Sequence, residues 1–138
     1  MLRERIAPAL RELGFNGSGQ VYYLPDAHSW ALLGFQKSKY SNAREVAFTI
    51  NLSAGSKIEW AEARIGREHW MPERPTANTR YGRPLWEARI GRLLSDGQDK
   101  WWRLSADGDT AKLDDEVVLT TRDVALPALR EHVRPANT

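Results

Sequence analysis

The side chains best equipped for chemistry in this 138-residue chain are three histidines, one carboxylate pair, several glycine-rich turns and a cluster of tryptophan and arginine. His28, His69 and His132 are dispersed, with no HExxH and no i, i+4 pairing, so the spacing that puts two imidazoles on one helix face for zinc is missing. No metal site is expected. GFNGSGQ looks like a phosphate loop but follows a helical pattern, whereas a dinucleotide loop follows a strand and opens a helix. SDGQD and DGDT lack the twelfth-position Glu and flanking helices of a calcium loop and read as hairpin turns. Asp114-Asp115 lies at a helix start, where capping accounts for both. There is no G-x-S-x-G elbow, and the absence of cysteine excludes a thiol nucleophile. No cofactor is expected, and catalysis has no signature here.

The stronger signal is aromatic. Six tryptophans are many for this length, and Trp101-Trp102 in a strand would point to opposite faces, so one leaves the core unless the sheet is covered on both sides. On one reading Trp30, Trp86 and one of the pair fill the core, with the others packed under a long loop. On the other, a tryptophan and Arg83, Arg89, Arg92 or Arg103 form a binding surface, because both residue types are enriched at interface hot spots.

The elements that would position these groups follow from periodicity. Leu2, Ile6, Ala9, Leu10 and Leu13 recur at helical spacing before Gly14, giving a helix over roughly residues 2–13. NGSGQ is turn chemistry, QVYYL a short strand, and SWALLGFQK is apolar on both alternating faces, as a strand covered on two sides would be. In EVAFTINL, Val46, Phe48, Ile50 and Leu52 oppose Glu45, Ala47, Thr49 and Asn51. These three strands suggest an antiparallel meander.

EARIGR occurs twice, at Glu62–Arg67 and Glu87–Arg92. The first copy reads as helix, with Ser56 and Glu59 spaced as a capping box and Ile58, Ala61 and Ile65 as its apolar stripe. The second, in LWEARIGRLL, alternates as a strand running into an Asp96-Gly97 turn. The flanks differ, so the echo is no structural repeat. Between the copies, MPERPTANTRYGRP is the longest irregular segment. KWWRLS is a further strand closed by a turn at Asp107-Gly108, and LDDEVVLTTRDVALPALREHV a C-terminal helix that Pro127 should kink.

This pairing places Thr49 and Asn51 on the same sheet face as Glu87 and Arg89, with Gln36 able to join them. Such a row is a recognition site or the wet face of an antiparallel sheet. The formal net charge is +2 and the pI about 9.1. Basic and acidic residues alternate, however, and phosphate-backbone binding needs cations gathered on one face. Nucleic-acid binding is therefore disfavoured. No apolar run approaches membrane-spanning length, and the amphipathic start is no signal peptide. With no cysteine, a cytoplasmic location is expected.

QKS (Gln36–Ser38), FTINL (Phe48–Leu52), ERPTANTRYG (Glu73–Gly82), RIGRLL (Arg89–Leu94) and WW (Trp101-Trp102) together resemble the bacterial family catalogued as domain of unknown function 4304, in its actinobacterial form. The LGF after the first helix and the ALP of the last extend the resemblance over nearly the whole chain. It implies an α+β domain with a sheet between terminal helices and carries no established activity. It also directs attention to Gln36, Asn51, Arg89 and Trp102.

The expectation is one α+β domain over residues 1–138, an antiparallel sheet of four to five strands with an N-terminal, a middle and a C-terminal helix packed on it. Its function is expected to be binding of a protein partner, of accessory or immunity type, through Gln36, Lys37, Asn51, Glu87, Arg89, Trp101 and Trp102. The alternative is a ligand-binding domain or enzyme for a phosphate-bearing small molecule or nucleic acid, with Arg89 and Lys37 on the anion and Asn51 orienting it.

Overall fold

The computed structural model describes residues 5–42, 44–67, 70–94, 96–105 and 111–133. Leu2 of the expected first helix, His69 and the Asp107-Gly108 turn lie outside the described residues. The order is α1 (Ala7–Glu12), β1 (Asn16–Ser18), β2 (Val21–Tyr23), β3 (Ser29–Lys37), β4 (Glu45–Ser56), α2 (Lys57–Arg64), β5 (Trp86–Arg89), a 3-10 turn (Ile90–Leu93), β6 (Trp102–Ser105), α3 (Ala111–Thr120), a π-helical turn (Thr121–Ala125) and α4 (Leu126–His132). The result is an α+β domain built on an antiparallel sheet of six strands, one or two more than expected.

β1 to β4 form the meander. β1 is the strand not anticipated from the sequence, because NGS has no apolar alternation. It pairs with β2 from Asn16↔Tyr23 to Ser18↔Val21, leaving Gly19-Gln20 as the turn. β3 and β4 pair from Ser29↔Ser56 to Lys37↔Phe48. β5 and β6 both use the opposite edge of β4, β5 along Asn51–Ala54 and β6 along Glu45–Phe48. Twelve residues of β4 are long enough to carry two short strands end to end.

One sheet face holds Ala31, Leu33, Phe35, Phe48, Ile50, Leu52 and Ala54, packed against Ile6, Ala7 and Leu10 of the N-terminal helical segment and Val117, Ala125, Leu126 and Leu129 of the C-terminal one. Both terminal helices therefore share one face. Trp102 joins this core, stacked on Phe48 at 5.7 Å between ring centres. Trp86 is partly buried against it and stacks on His132 at 3.9 Å. A wide π-helical turn, Thr121–Ala125, lies just before Pro127, whose nitrogen cannot donate to the helix. Asp114, expected as a cap, is buried within the first turn of α3 with an oxygen 4.0 Å from Arg5 Nη1.

The other face is covered by α2 and the irregular segment that follows it. Ser56 Oγ accepts the Glu59 N–H at 3.2 Å, as the capping spacing requires. The expected stripe fails, since Ile58 and Ile65 are 69% and 76% exposed. The helix is anchored instead by Trp60, 1% exposed, which packs with Met71, Tyr81 and Leu85. Its indole N–H donates to the carbonyls of Pro72 and Glu73, both at 3.1 Å. Trp30, expected in the main core, packs in this second cluster. The second EARIGR is strand only as far as Arg89, yet Ile90 is fully buried on the core side, as its alternation with Trp86 and Ala88 demands.

Two expectations follow. Trp60→Ala should cost about 3–5 kcal/mol in urea unfolding, whereas Ile58→Ala should stay within about 0.5 kcal/mol. The Tyr22 hydroxyl is buried with no hydrogen-bond partner among the described residues, and burial holds its pKa above 10.0 against the opposing pull of Arg11. A neutral form favoured by folding contributes stability below the unfolded pKa and loses it as pH rises through the folded one. Tyr22→Phe should therefore fold as well as the parent at neutral pH and lose less stability above pH 10.0.

Candidate functional site

Register alone assembles the polar row. Across β4 and β5, Asn51 sits opposite Arg89 and Ser53 opposite Glu87, while across β3 and β4 Gly34 faces Asn51 and Gln36 faces Thr49. All lie on the face away from the terminal helices, so this shared face is as the alternation implied.

The row is a connected network. Asn51 Nδ2 donates to Gln36 Oε1 at 2.7 Å and to Asn78 Oδ1 at 3.1 Å. Arg89 donates from Nε to Asn51 Oδ1 and from Nη2 to Gln36 Oε1, both at 3.3 Å. Its Nη1 meets Asp99 Oδ2 at 3.1 Å, and its guanidinium carbon lies 5.3 Å from the centre of the Trp101 ring. Trp101 Nε1 donates to the same Asp99 oxygen at 3.4 Å. Arg89 is thus held by three side-chain acceptors and one ring face. Its side chain is 25% exposed and that of Asp99 54%, so solvent screens the ion pair, which orients the guanidinium more than it stabilises the fold.

Two glycines make this geometry possible by having no side chain. A Cβ on Gly34 would overlap the Asn78 carboxamide, which lies directly over the strand. Asn78 Nδ2 donates to the Phe35 carbonyl at 3.1 Å, tying the irregular segment to β3. A Cβ on Gly91 would collide with the backbone of Gln98, Asp99 and Lys100. Close approach there brings Asp99 and Trp101 alongside Arg89, and Thr49 Oγ1 fastens the same stretch by donating to the Lys100 carbonyl at 2.6 Å.

The expected site residues divide. Gln36, Asn51, Arg89 and Trp101 come together. Glu87 borders them, its two carboxylate oxygens accepting the N–H groups of Tyr81 and Gly82, each at 2.9 Å. Lys37 pairs with Phe48 and so falls on the opposite face, exposed. Trp102 is in the core. Of the other arginines considered, Arg103 pairs with Glu45 at 2.8 Å, away from the network. Asn78 and Asp99 were not singled out from sequence. The one available signal was Gly34 inside an apolar strand, which marks a close approach of other chain.

A recess of about 200 Å3 opens beside Arg89, lined by Gln36, Asn51, Asn78, Arg80 and Glu87. Among the described residues no group of three or more His, Asp or Glu is placed to hold a metal ion, and no helix is long and apolar enough to cross a membrane.

Fold and site define a small α+β domain whose sheet carries a fixed polar network on the face opposite its terminal helices. Residues 6–131 match the family model described as Domain of unknown function (DUF4304), and the chain belongs to that family. No curated protein and no solved structure matches it.

Gly34→Ala should cost about 1–3 kcal/mol through forced overlap. Adding Asn78→Ala should recover part of that loss, giving a favourable coupling in a double-mutant cycle read by urea unfolding.

Proposed function

We propose that this chain is a small cytoplasmic binding domain that recognises a partner protein through the surface around Arg89 and Trp101. The observation that carries the reading is the set of contacts that surrounds Arg89. An arginine already held by Asn51, Gln36, Asp99 and the Trp101 ring loses little side-chain entropy when a partner meets it. That saving is how preorganised contacts gain affinity. Arginine and tryptophan are also the residues most often responsible for binding energy at interfaces.

The size of the recess favours a partner over a small substrate. About 200 Å3 is below the usual range of ligand pockets and suits one inserted side chain. The phosphate-ligand reading loses Lys37, which is on the other face, though Arg80 lines the recess, and the charge of Arg89 is already met by Asp99. The absence of cysteine supports the cytoplasmic assignment.

The test is capture by the tagged full chain from a nuclease-treated bacterial lysate, followed by affinity measurement with the purified partner. Trp101→Ala and Arg89→Ala should each weaken binding roughly 30-fold, as hot-spot residues do. Arg122→Ala, whose exposed side chain pairs with Asp123, should leave it unchanged. Undiminished binding by both site variants would exclude this surface.

A further inference from the structure

The irregular segment also meets the β1–β3 end of the sheet, along a groove that takes no part in the Arg89 network. Two adjoining recesses of about 460 and 380 Å3 share Tyr23, Trp30 and Arg74. Val21, Leu32 and Pro75 line the second of them.

Its charged lining is two cations, Arg74 and Lys57, and one carboxylate, Asp26. The Arg74 guanidinium carbon lies 5.4 Å from the Tyr23 ring centre and 5.8 Å from that of Trp30. Lys57 Nζ lies 4.9 Å from the Trp30 ring centre and donates to the Asp26 carbonyl at 2.6 Å. The Asp26 carboxylate lines the groove too, but its Oδ2 accepts the N–H groups of His28 and Ser29 at 2.9 and 2.7 Å. Among the described residues neither Arg74 nor Lys57 forms an ion pair, and Arg74 makes no hydrogen bond. Trp30 Nε1 is buried and has no acceptor among the described residues. The groove therefore presents two cations with no carboxylate partner among the described residues, and its arginine lies beside two aromatic rings. That arrangement leaves the N–H edge of a guanidinium open for bidentate contact with an oxyanion.

We propose that this groove binds an organic anion, whose carboxylate or phosphate oxygens meet the Arg74 edge and the Lys57 ammonium and whose apolar body lies along Val21, Leu32 and Pro75. Each recess falls within the size range of ligand sites and exceeds what a bare ion needs. An acidic peptide side chain, a small organic acid and a phosphate ester share this chemistry.

The experiment follows the indole N–H signals of the full chain by NMR during titration with phenylacetate, phenyl phosphate and inorganic phosphate. At least one aryl anion should move the Trp30 signal saturably while the Trp101 signal stays in place, and the stronger of the two assigns the site to carboxylate or phosphate. Arg74→Ala should weaken that binding about tenfold or more, and Lys57→Ala should weaken it too. Arg74 is exposed, so its truncation leaves the core intact, and the backbone spectrum verifies folding. A Trp30 signal that responds to neither aryl anion would overturn the assignment. Binding undiminished in both variants would do the same, and inorganic phosphate binding as tightly as the aryl anions would overturn the apolar half.

Discussion

The polar network around Arg89 and the neighbouring groove both depend on the burial of one indole. Trp60 is the only residue of α2 that enters an apolar cluster fully, and its N–H is shared by two carbonyls of the segment that follows the helix. A buried indole without an acceptor would be costly, and an irregular segment without an anchor would lose its order to chain entropy. Each solves the other's problem. The Tyr81 ring closes edge-on over Trp60 at 4.8 Å, and Asn78 and Arg74 are carried on the same fastened stretch. One of these completes the network around Arg89, and the other lies across the second groove.

The second constraint is the shared edge of β4. With β3 on one side, the other side is divided between β5 and β6, and the chain between them must leave the sheet and return. It does so through the 3-10 turn at Ile90–Leu93 and the stretch that crosses Gly91. Asp99 and Trp101 come to Arg89 because of that excursion. A continuous strand from Trp86 to Leu94 would have paired further along β4 and left the guanidinium without its carboxylate and ring.

Alternation was the part legible in the sequence. SWALLGFQK and EVAFTINL each show which residues share a face, and since a strand's faces alternate strictly, Gln36, Thr49, Asn51, Glu87 and Arg89 could be grouped without coordinates. The Ser56 cap was legible for the same local reason. What escaped was decided at long range. Ile58 and Ile65 have helical spacing, but which face of α2 is buried depends on where the sheet lies, and Trp60 won that competition. Asn78 is 27 residues from Asn51 and Asp99 is 10 from Arg89, both on irregular chain whose path no periodicity describes. Lys37 follows Gln36 directly and so had to face away from it, an inference the alternation already contained.

The proposed recognition requires Arg89 to be rigid before any partner arrives, and side-chain relaxation of the arginine Nε–H groups measures this directly. Arg89 should show an order parameter approaching that of ordered backbone, about 0.85, and should loosen when Asn78 is truncated. An Arg89 Nε–H as mobile in the parent protein as that of exposed Arg130 would mean that the network does not hold the guanidinium, and the proposed binding surface would lose its basis.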